Sequence, residues 1–303
     1  MKDNIHITSI TQVHQYFGLE PPTHPLVSVV NAFDGEKLKG IADKPVISDL
    51  YSISLKAGIS GTCLYGRNTY DYQDGTLVFI APGQVIQYSE GEGVPDKSES
   101  WNLLFHPDLI RKSELGTKIN AYSFFNYEAN EALHVSEDEK KSLKEIIDKI
   151  KTECNQNIDR HSQNLIVSNI QLLLDYCTRY YDRQFYTRTN LNKDIASDFD
   201  QALRKYYENN LHENLGLPSV AYCGKEMGIS AYYLSDLLKK ETGRTASEYI
   251  HFFVLERAKS ILLGSNQSVS EIAYDLGFAY PQHFSKLFKA KIGMSPKDYR
   301  KLN

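Results

Sequence analysis

Cysteine is scarce in this sequence and forms no recognisable metal or redox motif. The 303 residues include four widely separated cysteines with no CxxC pair: Cys63, Cys154, Cys177 and Cys223. This spacing predicts reduced core residues rather than disulfide partners or zinc ligands. For Cys223, which stands next to Gly224, a redox or alkylation sensor is the alternative to the packed core thiol that we favour.

Long apolar runs are also missing. No run approaches the roughly 18 consecutive apolar residues of a membrane span, and the N-terminus MKDNIHITSI lacks the apolar core of a signal peptide. Apolar residues make up 41% and charged residues 24% of the chain, which is typical of a globular protein. We therefore expect a cytoplasmic protein of about two domains with no membrane partner.

Histidine is absent from DYQDGTLVFIAPGQVIQY (71–88), which is rich in strand-forming residues. His24 and His106 each stand alone before a proline, which predicts turn or capping roles rather than metal ligation. The sequence therefore predicts no metal site, no cofactor and no catalytic residue. We expect that the protein is not an enzyme.

Charge is distributed unevenly along the chain. Residues 1–199 carry 20 basic and 27 acidic side chains, whereas residues 200–303 carry 14 basic and 11 acidic ones. After Gln282 a single acid, Asp298, stands among six basic residues: Lys286, Lys289, Lys291, Lys297, Arg300 and Lys301. Because phosphate contacts supply most sequence-independent DNA affinity, this end of the chain is a candidate DNA-binding region. The alternative, an ordinary solvated surface, explains the clustering less well.

One sequence pattern occurs twice. VAYCGKEMGISAYYLSDLLKK (220–240) and VSEIAYDLGFAYPQHFSKLFKA (269–290) share a small residue four positions before a glycine, then an apolar residue, then two matched apolar pairs. The length and the central glycine predict two helix-turn-helix units, Gly228 and Gly277 providing the positive φ of each turn. Outward residues on each second helix would then be free to contact DNA.

The stretch between the repeats predicts a connecting helix. In SEYIHFFVLERAKSILLGSN, apolar residues recur at helical spacing up to Gly264. A helix of about 17 residues measures roughly 25 Å, and successive major grooves lie roughly 34 Å apart. The two units could therefore reach successive grooves. The first helix of this domain is predicted at 198–210.

The N-terminal half predicts a β domain followed by helices. Short strand-like runs separated by turn residues extend from Leu26 to about His106, which favours an antiparallel sandwich or small barrel. Ser136 and Glu139 form a predicted capping box at the start of a helix. The next helix has an apolar stripe over 165–177 that is broad enough to pack under the β domain, to pair with a second chain, or both. The polar stretch 184–194 predicts a linker.

At its C-terminal end the chain resembles the AraC/XylS family of bacterial transcriptional regulators. The resemblance covers about residues 198–303 and rests on KKETGRTASEYI, AKSILL, SVSEIAYDLGF and FSKLFKAKIGMSPKDYR in this order. It implies that double-stranded DNA is a partner, that RNA polymerase is another, and that each second helix reads a major groove. It points to these DNA contacts: Tyr232, Ser235, Asp236, Lys239, Pro281, Gln282, His283, Ser285 and Lys286.

The residue chemistry agrees in part with this resemblance. Gln282 is suited to paired hydrogen bonds with adenine, and Lys286 to guanine or phosphate. Asp236 and Val254 depart from the family pattern, in which basic residues are common at both positions. We therefore expect the second unit to anchor the protein on DNA and the first to be the more selective contact. Tyr232 and its neighbour Tyr233 are equally well explained as core residues.

The N-terminal β region loosely resembles the cupin-like sensor domain that often precedes this DNA-binding unit, with GTLVFIAPGQVIQY as the most similar run. Its aromatic residues could line an effector cavity, although most aromatics in a β domain are core. The candidate pocket residues are Tyr51, Tyr65, Tyr70, Phe79 and Trp101.

We therefore predict a two-domain α+β protein. A cupin-like antiparallel β-barrel or sandwich over 1–135 is followed by a helical dimerisation or packing segment over 136–183, a linker over 184–197 and an all-α domain with two helix-turn-helix units over 198–303. The predicted function is a homodimeric, sequence-specific transcriptional regulator, most simply an activator that responds to a small-molecule effector. The alternatives are a cupin-type enzyme with a DNA-binding tail and a regulator whose β domain serves only protein contacts.

Overall fold

The computed structural model describes residues 5–31, 44–56, 75–87, 100–128, 131–191 and 195–301. The chain divides into two compact units, Met1–Gln184 and Phe185–Asn303. The first combines β-sheets with helices, and the second contains helices joined by short loops, with no strand among its described residues.

Antiparallel pairing dominates the first unit. A five-stranded antiparallel sheet has the order β2-β7-β4-β5-β8, formed by Val27–Asn31 (β2), Tyr51–Lys56 (β4), Thr76–Ile80 (β5), Trp101–Phe105 (β7) and Leu133–His134 (β8). A second sheet has the order β1-β3-β6, in which Ile5–Ile7 (β1) runs parallel to Pro45–Ser48 (β3) and Val85–Gln87 (β6) runs antiparallel to it. The predicted antiparallel sheet is confirmed, and a closed cupin barrel stays a prediction.

Each face of the five-stranded sheet is covered. On one face Leu104 packs with residues of the small sheet and of helix α1 (Ile10–Tyr16), among them Ile10 and Val46. On the other face Phe79 contacts Phe124, with ring centroids 4.5 Å apart. Strands β5 and β7 are therefore buried along their whole length, which explains their continuous apolar runs.

Short helices and 3-10 turns connect the sheet to the longer helices. These are α2 (Pro107–Ile110), α3 (Glu114–Lys118) and 3-10 turns at Ile119–Ala121 and Ser123–Asn126. Helix α4 (Glu137–Asn155) begins with the predicted capping box, in which the Ser136 side chain accepts from the Glu139 N–H and the Glu139 side chain accepts from the Ser136 N–H. This predicted helix start is confirmed.

Helix α5 (Ser162–Leu191) is longer than predicted and extends into the expected linker, which stays a prediction as a domain boundary. The polar stretch from residue 184 continues the helix to Leu191, and the next helix begins at Ile195 rather than at 198. The reason is that residues 184–191 contain neither glycine nor proline, and Phe185 is buried against the Tyr233 ring at 5.2 Å.

The second unit contains eight helices within its described range after α5. They are α6 (Ile195–Glu208), α7 (Leu211–Leu215), α8 (Val220–Met227), α9 (Ala231–Thr242), α10 (Ala246–Gly264), α11 (Val269–Asp275), α12 (Pro281–Ile292) and α13 (Pro296–Arg300). Helix pairs α8–α9 and α11–α12 occupy the two sequence repeats, and α10 is the predicted connecting helix.

The repeat extends further than the two helix-turn-helix segments. After α9 and α12, which have 12 residues each, Gly243 and Gly293 end the helix with φ of 74° and 88°. Thr245 and Ser295 then cap α10 and α13 with their side-chain hydroxyls. Each repeat therefore consists of three helices, and residues of the second copy follow those of the first by 50 positions from α9 onward.

The two repeats share one core, and α6 lies within it. Two of its tyrosines fasten loops of the unit: the Tyr206 hydroxyl donates to the Gly216 carbonyl oxygen and the Tyr207 hydroxyl to that of Leu276, each at 3.0 Å. At the second turn, Gly277 has φ of 91°, and a Cβ there would lie 2.7 Å from the Gly216 carbonyl carbon. Glycine is needed at this turn both for the backbone angle and for the close approach.

Candidate nucleic-acid interface

Helix α12 separates an apolar face from a polar one. Phe284 and Phe288 are fully buried, while Gln282, His283 and Lys286 are exposed. In a helix, residues four positions apart share a face, so the two phenylalanines hold the helix down and the polar group points away from the core. Of the other residues predicted on α12, Pro281 and Ser285 are partly exposed.

Helix α9 shows the same division with different chemistry. Leu234, Leu237 and Leu238 are buried, whereas Tyr232 is 55% exposed and Lys239 is exposed. The adjacent tyrosines thus have different environments. Tyr233 is only 2% exposed, so the core interpretation holds for Tyr233 and does not hold for Tyr232.

Two residues predicted as DNA contacts on α9 are only partly exposed. Ser235 accepts a hydrogen bond from the backbone N–H of Ala246, 3.3 Å from its hydroxyl oxygen, and thereby joins α9 to the start of α10. Asp236 is likewise half-buried. The outward chemistry of α9 therefore consists of one aromatic ring and two lysines, Lys239 and Lys240, with a carboxylate and a bonded hydroxyl beside them.

The basic C-terminal residues differ in their environments. Five lysines are exposed: Lys286, Lys289, Lys291, Lys297 and Lys301. Arg300 does not belong with them, because its guanidinium donates to the carbonyl oxygens of Leu262 at 3.3 Å and Gln267 at 2.5 Å. The interpretation of Arg300 as a phosphate contact is therefore corrected. It attaches α13 to the last turn of α10, where the Leu262 carbonyl has no intrahelical donor, and to the following loop through the Gln267 carbonyl.

Val254, the other departure from the family pattern, lies in the core of the unit. It is 1% exposed and packs in the cluster that joins α6 to both repeats. A valine at this position of α10 contributes packing and cannot contact DNA.

Tyr280 is an exposed residue that our sequence analysis missed. It is the N-cap residue of α12, 57% exposed, and its ring lies 5.3 Å from the His283 ring. The cap receives no side-chain hydrogen bond, in contrast to α9, where the Ser230 hydroxyl accepts from the Tyr233 N–H. The available signal was Pro281, because proline favours the first helical position and so places Tyr280 at the helix entrance.

The predicted effector residues of the first unit share one face of the sheet. The register pairs Tyr51 with Phe105, Ile53 with Phe79 and Leu55 with Trp101, which places the three predicted aromatics on one side. Tyr51 stacks on Phe105 at 4.9 Å, and Phe79 and Trp101 are buried. Most of this group is thus accounted for as core. Tyr65 and Tyr70 lie outside the described residues.

Trp101 has one unexplained feature. Its indole Nε1–H is buried and has no hydrogen-bond partner within the described part of the chain. A buried donor without an acceptor costs about 1–3 kcal/mol, so this N–H is a place where a ligand oxygen or a water would stabilise the fold.

A buried polar group lies on the opposite face of the same sheet. The hydroxyls of Ser52 and Ser54 both donate to Asn102 Oδ1, at 3.0 and 2.8 Å. Sequence reasoning missed this group, because isolated serines in a strand are indistinguishable from ordinary outward-facing residues.

The remaining single residues have structural explanations. The imidazole Nδ1 of His106 accepts from the Asp108 N–H and caps α2, and that of His24 accepts from the Leu26 N–H, as predicted for capping and turn roles. Burial lowers the pKa of His24. The described residues contain no group of three or more His, Cys, Asp or Glu side chains placed to hold a metal ion.

Three of the four cysteines are described, and all three are buried and free. Burial raises the pKa of the Cys223 thiol to about 11 and that of Cys154 to about 12. Cys223 is fully buried in the core of the second unit, which confirms the packed core interpretation. Among the described residues, no helix is both long enough and apolar enough to cross a membrane. Cys63 lies outside the described part.

Comparison with known proteins identifies the class of the second unit. A family model described as "Helix-turn-helix domain" matches residues 223–302. The chain is 32% identical over 142 residues to the uncharacterized HTH-type transcriptional regulator YfiF of Bacillus subtilis, a match that covers 46% of this chain and 41% of that protein. It is 34% identical over 108 residues to the HTH-type transcriptional activator RhaS of Salmonella arizonae, covering 35% and 38%.

A longer but weaker match is to the uncharacterized HTH-type transcriptional regulator YijO of Escherichia coli, which is 26% identical over 193 residues and covers 64% of each chain. Among solved structures, ToxT from Vibrio cholerae covers 90% of this chain at 15% identity with a TM-score of 0.30. All three sequence matches cover less than two thirds of the relatives' own lengths.

The second unit is therefore a helix-turn-helix domain of DNA-binding transcriptional regulators. Within that class the relatives are regulators of the AraC type, in agreement with the resemblance in the sequence.

Proposed function

We propose that this protein is a sequence-specific transcriptional regulator that binds double-stranded DNA with α9 and α12. The observation that carries the proposal is the outward face of α12. Gln282, His283 and Lys286 are exposed on a helix that two buried phenylalanines hold against the core. The ring of His283 contacts the exposed ring of Tyr280, Gln282 and Lys286 form no hydrogen bond or ion pair within the described part of the chain, and exposed lysines follow them.

The chemistry of this face fits the major groove. The Gln282 amide can donate to and accept from one adenine, and Lys286 can meet guanine or a phosphate. The lysines around it would contribute affinity that does not depend on sequence. Helix α9 has fewer cations and carries Asp236, which would accept from cytosine or repel phosphate. Helix α12 is thus the proposed anchor.

The connecting helix supports contact with two grooves. Helix α10 has 19 residues, which corresponds to about 28 Å at 1.5 Å per residue. Major grooves on one face of DNA repeat at roughly 34 Å. Two reading helices separated by α10 would therefore contact one face of the duplex.

Selection from random DNA with the full chain, followed by footprinting, tests the proposal. We expect protection of two adjacent major grooves for each chain and an affinity that falls steeply with salt. Binding that is absent, or equal for selected and random duplexes, would contradict a sequence-specific regulator.

We further propose that the protein is a cytoplasmic activator and that its first unit senses a small molecule. The activator role is supported by the similarity to a relative described as a transcriptional activator. The sensing role is supported by the unpaired buried indole of Trp101 within the described sheet. A contact with RNA polymerase is the corresponding proposal for how transcription would be activated.

A screen of small molecules by thermal shift tests the sensing role. A molecule present at 100 times its dissociation constant that binds only the folded state would add about 2.7 kcal/mol of stability. Trp101→Phe retains the ring but removes the donor, so it should abolish the shift caused by a ligand that accepts from Nε1. A ligand whose shift survives this substitution would place the sensing site elsewhere.

A further inference from the structure

Ser235 and Ser285 occupy the same position of the two repeats. Each is the fifth residue of a 12-residue helix, Ser235 in α9 and Ser285 in α12. Each precedes an apolar pair, Leu237–Leu238 or Leu287–Phe288. Each is followed eight positions later by the glycine that ends its helix, Gly243 or Gly293. On this correspondence alone, the two hydroxyls would be expected to have the same partner.

The first hydroxyl has a partner inside the protein. Ser235 Oγ accepts from the backbone N–H of Ala246, the first residue of α10, at 3.3 Å. An N–H in the first turn of a helix has no acceptor within the helix, so this bond satisfies a donor that would otherwise be open. Ser235 therefore holds α9 to the connecting helix.

The same bond cannot form in the second repeat. The residue that corresponds to Ala246 is Pro296, the first residue of α13, and proline has no backbone N–H. The Ser285 hydroxyl has no hydrogen-bond partner among the described residues, and the residue is partly exposed on the side of α12 that also carries the exposed Gln282 and Lys289. The second repeat therefore lacks the donor that Ser235 bonds in the first.

We infer that Ser285 is a specificity or phosphate contact to DNA and that Ser235 is a positioning residue, the two roles being separated by Pro296. This inference rests on the proposed function, since it concerns a contact in the same interface. A hydroxyl both donates and accepts, so Ser285 suits a phosphate oxygen or a base edge. Ser235 offers DNA at most the remaining capacity of a hydroxyl already bonded to α10.

The test uses the full chain and a duplex selected from random DNA, and it measures both dissociation constants and urea-unfolding midpoints. Ser285→Ala should weaken DNA binding by about tenfold, the value of one hydrogen bond to a charged or base-edge partner, and leave the unfolding midpoint of the second unit unchanged. Ser235→Ala should lower that midpoint, because it leaves the Ala246 N–H without an acceptor.

Pro296→Ala supplies the missing donor and is the sharpest variant. Its new N–H should capture the Ser285 hydroxyl, so that DNA binding weakens toward the level of Ser285→Ala. Adding Ser285→Ala to Pro296→Ala should then change DNA binding little. The double substitution thus separates capture of the hydroxyl from any general effect of losing the proline ring, which would persist without Ser285.

Unchanged DNA binding in Ser285→Ala would overturn the inference while the wild-type protein still bound its site. Equal losses of unfolding midpoint for both serine variants would overturn the division of roles. A wild-type chain that selects no DNA would instead contradict the proposed function itself, and the unfolding measurements would then report on the role of Ser235 alone.

Discussion

Gln282 and Lys286 lie one helical turn apart on α12 and should contribute to DNA binding in different ways. Gln282→Ala should cost roughly 1–3 kcal/mol of binding free energy on the selected site and little on random DNA, because it removes the amide that would form paired hydrogen bonds with one base. Lys286→Ala should weaken binding to all sequences and lower the slope of log affinity against log salt by about 1. Fluorescence anisotropy titrations at several salt concentrations measure both effects.

The same titrations distinguish a contact with a base from a contact with the DNA backbone. Equal losses on selected and random duplexes for Gln282→Ala would show that the amide meets the backbone. Lys239→Ala on α9 is the comparison for Lys286→Ala, since Lys239 is also exposed on a reading helix. We expect the larger loss from Lys286, as required if α12 is the anchor.

The turn glycines are equivalent in sequence but not in surroundings. Gly228 and Gly277 have φ of 72° and 91°, yet a Cβ at Gly228 meets no atom within 4 Å, whereas one at Gly277 meets the backbone of Gly216 at 2.7 Å. Gly228→Ala should therefore cost about 1–2 kcal/mol of unfolding free energy from backbone strain alone.

Gly277→Ala should cost more than Gly228→Ala, because the backbone of the preceding loop cannot move away as a flexible side chain would. Urea unfolding of the two variants measures the difference in the free energy of unfolding. Equal losses would mean that the loop at Gly216 relaxes freely.

At the scale of elements, Arg300 determines how α13 is attached. Its guanidinium donates to the carbonyl of Leu262 in the last turn of α10 and to that of Gln267 in the following loop. Exposed lysines are its neighbours along the chain. Arg300→Ala should lower the free energy of unfolding of the second unit by about 2 kcal/mol, as expected for loss of charge-assisted hydrogen bonds.

Lys297→Ala is the matched control for Arg300→Ala, since it removes an exposed charge from the same helix. It should leave stability nearly unchanged and reduce DNA affinity or its salt dependence. If the two variants lowered stability alike, the attachment of α13 by Arg300 would be wrong.

The two repeats also differ as elements. Helix α9 begins with a serine cap and is bonded to α10 through Ser235, while α12 begins at Tyr280 and Pro281 with no side-chain cap. On α12, Gln282 and Lys286 form no hydrogen bond or ion pair with other described residues, and the ring of His283 contacts the exposed ring of Tyr280. Helix α9, which is fixed by its cap and by Ser235, is suited to selective contact with DNA. Helix α12, whose exposed polar groups are available to a partner, is suited to supplying affinity.

At the scale of the whole molecule, helix α5 bears on oligomerisation. Most of its apolar stripe is buried within the first unit, but Leu165 and Leu172 remain 47% and 43% exposed. They are seven residues apart and therefore lie on one side of the helix. We propose that they pair with the same residues of a second chain, which would bring four helix-turn-helix units to one DNA site.

Leu172→Glu should convert such a dimer to a monomer, because like charges would face each other across the interface. Sedimentation velocity measures the change, and affinity for a duplex with two sites should fall by about 100-fold or more as the linked second contact is lost. Thr178→Glu is the control, because Thr178 is exposed on the same helix but lies about 120° around it from Leu172. A wild-type protein that sediments as a monomer would contradict the proposed pairing.

Much of the second unit could be predicted because its signals are local. The central glycine, the helix caps and the apolar spacing of each repeat lie within about 20 residues, so they describe one turn and two helices without reference to the rest of the chain. The end of α5 could not be predicted, because the helix continues through Phe185, whose ring packs on Tyr233. Tyr233 lies 48 positions further along the chain, so this contact leaves no local signal. The polar composition of that stretch pointed to a linker.

The sequence by itself determined that two helix-turn-helix units follow a β-rich segment, and which residues could face outward on each second helix. Only the tertiary structure decided which of those residues are free for a partner. Ser235 and Arg300 are residue types that commonly contact DNA, yet Ser235 is bonded to the first residue of α10 and Arg300 to its last turn. The physical reason is that hydrogen-bond donors and acceptors at helix ends are satisfied by side chains that the fold brings near them. Ser235 and Arg300 lie 11 and 38 positions from the residues they bond, and contacts at such separations produce no periodic pattern in the sequence.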